Sequence, residues 1–159
     1  MPPAGKEPEI DRLINVIARA EAEVVLIGGV AMILLGADNM TQDMDICYRR
    51  EKTTISKLCR ALAPYAPMLR AALLDYQDLL LNEDVGLDTE FGHIDIMGSI
   101  SGIGEYDQVL ALAEPIEIEG QRLMVLGLDG LIRAKEAAGR DKDKLHLATL
   151  RALRALRDE

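Results

Sequence analysis

Two aspartates one residue apart inside an apolar run, Asp43-Met44-Asp45-Ile46, are the residues of this sequence best suited to chemistry. In an extended strand alternate side chains leave opposite faces, so Asp43 and Asp45 project together while Met44 and Ile46 turn into a core. Two carboxylates held side by side attract a divalent cation. A second run, Gly92-His93-Ile94-Asp95-Ile96-Met97, offers a third carboxylate in a similar apolar setting. Three carboxylates form a donor set for one or two Mg²⁺ ions, with Mn²⁺ as the alternative, and leave coordination positions open to phosphate oxygens. Upstream, Val25-Leu26-Ile27-Gly28-Gly29-Val30-Ala31-Met32 places paired glycines between an apolar strand and a short helix, with thirteen residues between Gly29 and Asp43. Without side chains there, backbone N–H groups are open to an anion that the helix dipole favours. A tight turn with no ligand is the plainer reading of a Gly-Gly pair, and the nearby aspartates favour phosphate. His93 alternates onto the face of Asp95, where it reaches the site or donates a hydrogen bond to a carboxylate, against the plainer reading of a structural hydrogen-bonding residue. His146 is expected at the surface.

These residues need a frame. Pro8 suits a helix start, and Ile10, Leu13, Ile14, Ile17 and Ala18 follow with helical spacing. Residues 23–27 read as a central strand and 30–35 as a short buried helix ending near Gly36, with 37–42 as the loop that delivers the carboxylates. Residues 54–63 read as a helix stopped by Pro64, with a second break at Pro67. Residues 65–85 fit helix or mixed structure equally. Segments 87–91 and 93–97 read as paired strands around Gly92, 106–113 as a helix, and 116–118 with 123–125 as a hairpin. Asp129 is the expected N-cap of a helix running to about Ala138 and stopped by Gly139, and a last helix starts at Lys142.

The order Gly-Gly-x13-Asp-x-Asp with a third strand aspartate resembles the nucleotidyltransferase superfamily related to DNA polymerase beta. The stretch 125–143, with Lys135 on a helix followed by Arg140-Asp141-Lys142-Asp143, is similar to the C-terminal signature of compact AbiEii-like nucleotidyltransferases. The matching segments run from about Val24 to about Leu150. The resemblance implies an α/β (α+β) nucleotidyltransferase fold: a short, mixed, twisted sheet, helices packed on it and a C-terminal helical segment. It also implies Mg²⁺-dependent transfer of a nucleoside monophosphate from an NTP to an acceptor hydroxyl on an RNA end, a protein or a small molecule. A toxin of a toxin-antitoxin pair is among the roles it brings. In that family the aspartates corresponding to Asp43, Asp45 and Asp95 hold the metal, and Asp95 assists the attacking hydroxyl. Gly28 and Gly29 correspond to the turn that grips the β- and γ-phosphates, where many relatives carry serine in place of Gly29. The resemblance puts Lys135 and Arg140 near the phosphates, Asp143 in position to orient one of them or the metal shell, and Thr41 on phosphate or on the turn. The rival reading is a nucleotide-binding or regulatory module of the same fold without efficient transfer, acting through a partner such as an antitoxin or as a homo-oligomer.

At 159 residues and 49% hydrophobic content, the chain suits one domain spanning 1–159 with a proper core. Aromatic residues make up only 3%, so a stacking platform for bases is poorly supplied. The net charge of −9 and a pI near 4.8 argue against broad contact with nucleic acid backbone, which relies on Lys and Arg. Cys47 and Cys59 read as reduced thiols, with a disulfide as the alternative. Residues 1–8 lack the apolar core of a secretion signal, and the longest apolar run, 24–36, is too short and glycine-broken to span a bilayer. A cytoplasmic protein without membrane contact is expected.

Overall fold

The computed structural model describes residues 8–158, so the segment read for a secretion signal lies largely outside them. Helix α1 (Ile10–Arg19) buries Leu13, Ile14, Val16, Ile17 and Ala18 on one stripe, as its spacing predicts. Strand β1 (Val24–Ile27) is buried along its whole length and runs straight into α2 (Gly28–Leu34), whose first turn contains both glycines. Then come β2 (Asp43–Tyr48) and α3 (Lys52–Leu62), the latter ended by a 3₁₀ turn over Ala63–Tyr65 that holds Pro64. The ambiguous stretch resolves as a small hairpin, β3 (Met68–Leu69) and β4 (Ala72–Leu73), a short helix α4 (Tyr76–Leu81) and the start of β5 (Asp84–Thr89). Asp75 caps α4 by accepting from the Gln77 N–H. Strand β6 (Gly92–Met97) precedes a small pair, β7 (Ser99–Ile100) and β8 (Gly104–Glu105), then α5 (Tyr106–Ala111) and the hairpin β9 (Ala113–Ile118) and β10 (Gln121–Leu126). Two helices, α6 (Leu128–Ala138) and α7 (Asp141–Arg157), complete the described chain.

The main sheet has the order β4-β3-β5-β6-β2-β1-β10-β9, with β2/β6 and β1/β10 parallel and the other neighbours antiparallel. Helix α1 packs on β2 and β10 and against α3, while α5 lies on β1, β2 and β10. Among the described residues no helix is long and apolar enough to cross a membrane. Both cysteines are free thiols. Burial pushes the Cys47 thiol up to about 12, which keeps it protonated and inert at neutral pH.

One helix start differs from its sequence reading. Asp129 is not the N-cap of α6: Gly127 occupies that place, and Asp129 lies in the first turn, where its carboxylate accepts from Arg154 Nη1 at 3.1 Å. An aspartate in a first turn complements the helix dipole as well as a cap does, so the two positions look alike in sequence. The helix stop is as read, with Gly139 in the left-handed region at φ 62°.

Candidate active site

Strand alternation sorts the side chains of β2 and β6 as the sequence implies. Met44, Ile46, Ile94 and Ile96 are fully buried on one face, while Asp43, Asp45, His93 and Asp95 take the other. The parallel register pairs Asp43 with His93 and Asp45 with Asp95 across the two strands. Asp45 and Asp95 are close enough for their side chains to hydrogen-bond, and the Asp45 carboxyl is pushed up to about 6, first by burial and then by the charges of Asp95 and Asp43. That crowding costs at most about 3 kcal/mol, whereas burying the four apolar side chains on the other face returns on the order of 6–12 kcal/mol as an upper estimate. The apolar face therefore dictates where the carboxylates sit.

His93 bridges two acids. Its Nε2 lies 3.0 Å from Asp95 Oδ1 and its Nδ1 lies 2.8 Å from Asp88 Oδ1, so the ring holds one oxygen of Asp95 in place. The reading of His93 as a hydrogen-bonding partner of a carboxylate describes this arrangement, although the ring itself does not line the cleft.

The carboxylates form part of a cleft of about 580 Å³ that also takes in Gly28, Gly29, Thr41, Lys135 and Arg140. All the site residues read from the sequence line it except Asp143, which lies beneath its wall, fully buried. Asp143 Oδ2 accepts from Arg140 Nε at 2.8 Å and from the Arg140 backbone N–H at 3.0 Å, and Oδ1 accepts from Arg140 Nη2 at 3.2 Å and Lys135 Nζ at 3.3 Å. Those bonds, Arg140's foremost, hold its carboxyl well below the usual range against the opposing effect of burial. Asp143 thus ties α6 to the start of α7 and fixes two cations at one wall. Lys135 also acts on Asp45 from across the cleft, lowering its proton affinity.

Gly28 and Gly29 are dictated by neighbours as well as by the turn. Gly28 has φ +66°, and a Cβ there would overlap Asp45 Oδ2. A Cβ on Gly29 would sit 3.0 Å from Thr41 Oγ1 and 3.1 Å from Thr41 Cβ. Thr41 thus crowds the space that a serine at position 29 would need, and its hydroxyl donates to the Asp43 carbonyl oxygen at 2.9 Å.

Three charged or polar residues lining the cleft escaped the sequence reading: Asp84, Lys142 and His146. Lys142 and His146 both face it, and His146 is half-buried rather than at the surface. The signal was the helical spacing, since His146 stands three residues after Asp143 and four after Lys142 on one helix face. A separate cavity of about 400 Å³ beside α1, lined in part by Arg12, Asn15, Tyr65 and Phe91, has no acidic side chain in its wall and offers no comparable chemistry.

Among the described residues no three His, Cys, Asp or Glu side chains converge as a ready-made metal cage. The chemistry of the donor set nevertheless suits a hard divalent cation: the half-buried Asp45 carboxyl feels the charges of both Asp95 and Asp43, and Lys135 and Arg140 are the cations that act on it.

The fold is that of nucleotidyltransferases. A candidate nucleotidyltransferase from Thermotoga maritima, TM1012, superimposes with a TM-score of 0.61 at 17% identity, covering 95% of this chain and 94% of that one. The lincosamide antibiotic adenylyltransferase LnuA, in its lincomycin-bound crystal structure, matches with a TM-score of 0.61 at 13% identity over 91% and 96% of the two chains. An antigenic nucleotidyltransferase-like protein from Paracoccidioides brasiliensis gives 0.61 at 14% identity over 93% and 76%. No protein-family model matches the sequence, and no curated protein matches it significantly.

Proposed function

We propose that this protein transfers a nucleoside monophosphate from an NTP to an acceptor hydroxyl. The observation that carries the proposal is the register of β2 and β6, which sets Asp45 beside Asp95 in a cleft whose other walls bring the Gly28-Gly29 turn and the Lys135/Arg140 pair. Asp43, Asp45 and Asp95 would hold Mg²⁺ or Mn²⁺, which when bound neutralises phosphate charge and stabilises the entering and leaving oxygens. The Gly28-Gly29 turn would offer backbone N–H groups at the helix start to the triphosphate, with Thr41 supplying a hydroxyl beside the turn. Lys135 and Arg140, held by Asp143, offset the negative charge of the phosphates without transferring a proton. Asp95, steadied by His93, accepts the proton of the acceptor hydroxyl as its oxygen bonds to the α-phosphorus. The bond from the α-phosphorus to the bridging oxygen breaks, and pyrophosphate leaves with the electron pair.

For the acceptor, a small-molecule hydroxyl is favoured over RNA. The net charge of −9 and the 3% aromatic content suit a polyanion poorly, and LnuA, of nearly matching extent, is an antibiotic adenylyltransferase. Incubation with each α-labelled NTP and a cell extract, followed by separation of RNA, protein and metabolites, tests this. Label in the metabolite fraction is expected. Label on RNA would point instead to the toxin role that the AbiEii-like resemblance brings. No label in any fraction under varied metals would favour the regulatory-module reading. Calorimetry supplies the companion test: NTP binding should vanish with EDTA and in the Asp43→Asn/Asp45→Asn double variant, and equal affinity in either case would refute the metal assignment.

A further inference from the structure

We infer that His146 is a ligand of the nucleotide's phosphate chain, donating its Nε2–H to a phosphate oxygen; this rests on the nucleotidyl-transfer reading and extends the site onto α7. The ring lines the cleft, yet it makes no hydrogen bond to any described residue, and its Nδ1 is shut away from solvent without a partner. A buried N–H with nothing to bond is rarer than a buried lone pair left over, so the ring proton belongs on Nε2. The charged groups facing the ring are Lys135 from α6 and Lys142, Arg140 and Asp143 from the start of α7. Burial, Lys135, Lys142 and Arg140 hold the imidazole's proton affinity down against the pull of Asp143, which favours the neutral ring. With its acceptor nitrogen buried, a neutral ring has one polar function left, an N–H donor. That donor stands in the corner of the cleft where Lys135, Arg140 and Lys142 gather positive charge, and the chemistry matching such a corner is a polyanion. Packing alone gives no reason for an imidazole here, since a ring without hydrogen bonds is served better by phenylalanine or leucine.

The test is calorimetric titration of the full chain, wild type against H146F and H146Q, with MgATP, magnesium tripolyphosphate and adenosine as separate ligands. H146F is expected to weaken MgATP and tripolyphosphate alike by about 10- to 150-fold, the scale of one hydrogen bond to a charged group, and to leave adenosine unchanged. H146Q, whose side-chain amide N–H reaches close to the position of Nε2, should recover most of the loss. Should H146F fail to fold, H146Q against H146N decides, because the shorter asparagine cannot reach that position. Unchanged tripolyphosphate affinity in H146F overturns the phosphate assignment, and a loss confined to MgATP and adenosine moves the contact to the nucleoside and overturns it equally. A loss that glutamine does not recover overturns the N–H role. If the wild type binds none of MgATP, the other three NTPs or tripolyphosphate, the nucleotide reading itself fails and this inference falls with it, an outcome distinct from wild-type binding that H146F leaves intact.

Discussion

Replacing Asp45 by asparagine should stabilise the metal-free protein at alkaline pH while destroying its binding of NTP. In the folded chain the Asp45 carboxyl titrates at about 6, against an ordinary value of 3.8, because burial and then the charges of Asp95 and Asp43 oppose its ionisation. Below about pH 3, under both values, the group is protonated in folded and unfolded chains alike, and the raised value costs nothing. As the pH climbs toward 6 the unfolded chain has already released the proton that the folded chain still holds, so stability falls with pH and the full penalty is reached above about 6. The distance from 3.8 to about 6, at about 1.36 kcal/mol per pH unit, sets a ceiling of roughly 3 kcal/mol. Asparagine removes the charge and keeps a hydrogen-bonding group toward Asp95, so roughly 1–3 kcal/mol should be recovered, or about 2–10 °C in Tm for a chain of this size. The assay is thermal unfolding followed by circular dichroism in EDTA, from pH 4.5 to pH 8, for wild type and Asp45→Asn. The variant should melt higher at pH 8, and its advantage should shrink toward pH 4.5. Mg²⁺ or Mn²⁺ with NTP should raise the wild type alone. An Asp45→Asn protein no more stable than wild type at pH 8, or a difference independent of pH, would refute the account of mutual repulsion.

Other substitutions probe the remaining walls. Lys135→Ala should weaken NTP binding by roughly 1–3 kcal/mol and also lower Tm, because it strips the buried Asp143 carboxylate of one partner, measured by titration and melting against Lys144→Ala; Lys144 is exposed and pairs with Asp141, whereas Lys142 lines the cleft and is no control. Asp143→Asn should lower Tm at pH 7 through about 2–4 kcal/mol of lost bonding to Arg140 and Lys135. Its depressed value makes that contribution complete above the unfolded value near 3.8 and progressively lost as the pH falls below it, so an acid series of melts should show the two proteins converging. Asp95→Asn should depress turnover in the label-transfer assay far more than it changes NTP affinity, and equal losses in both would deny Asp95 its part in activating the hydroxyl. Gly28→Ala should lose NTP binding and melt lower, because φ +66° and the overlap with Asp45 act together, and an unchanged titration would show that the turn has slack.

The carboxylate face was legible because alternation within a strand is a strict geometric rule: Met44 and Ile46 had to be buried, so Asp43 and Asp45 had to share the other side. The pairing of Asp45 with Asp95 depends on a parallel register between strands more than forty positions apart in sequence, and no local pattern encodes it. Residues 65–85 were ambiguous because two-residue strands and a six-residue helix are too short to display a period. Asp129 was misread because cap and first turn ask for the same residue type. His146 was passed over for a different reason. Its spacing from Asp143 was visible, but whether that helix face meets solvent or a cleft is decided by the packing of α7 on α6.

The contact between Gly29 and Thr41 makes two positions, twelve apart in sequence, share one vacancy. A hydroxyl can enter that space from the helix start or from the loop, and one from each would crowd the other. Gly29→Ser alone should therefore lower Tm, since a serine Cβ at 3.0 Å from Thr41 Oγ1 makes the Thr41 side chain give by a few tenths of an ångström. Combined with Thr41→Ala or Thr41→Gly it should be tolerated, the hydroxyl having changed its point of attachment while the space stays filled. Positions 29 and 41 are in this sense a single two-letter word, and substituting one letter at a time would misjudge both.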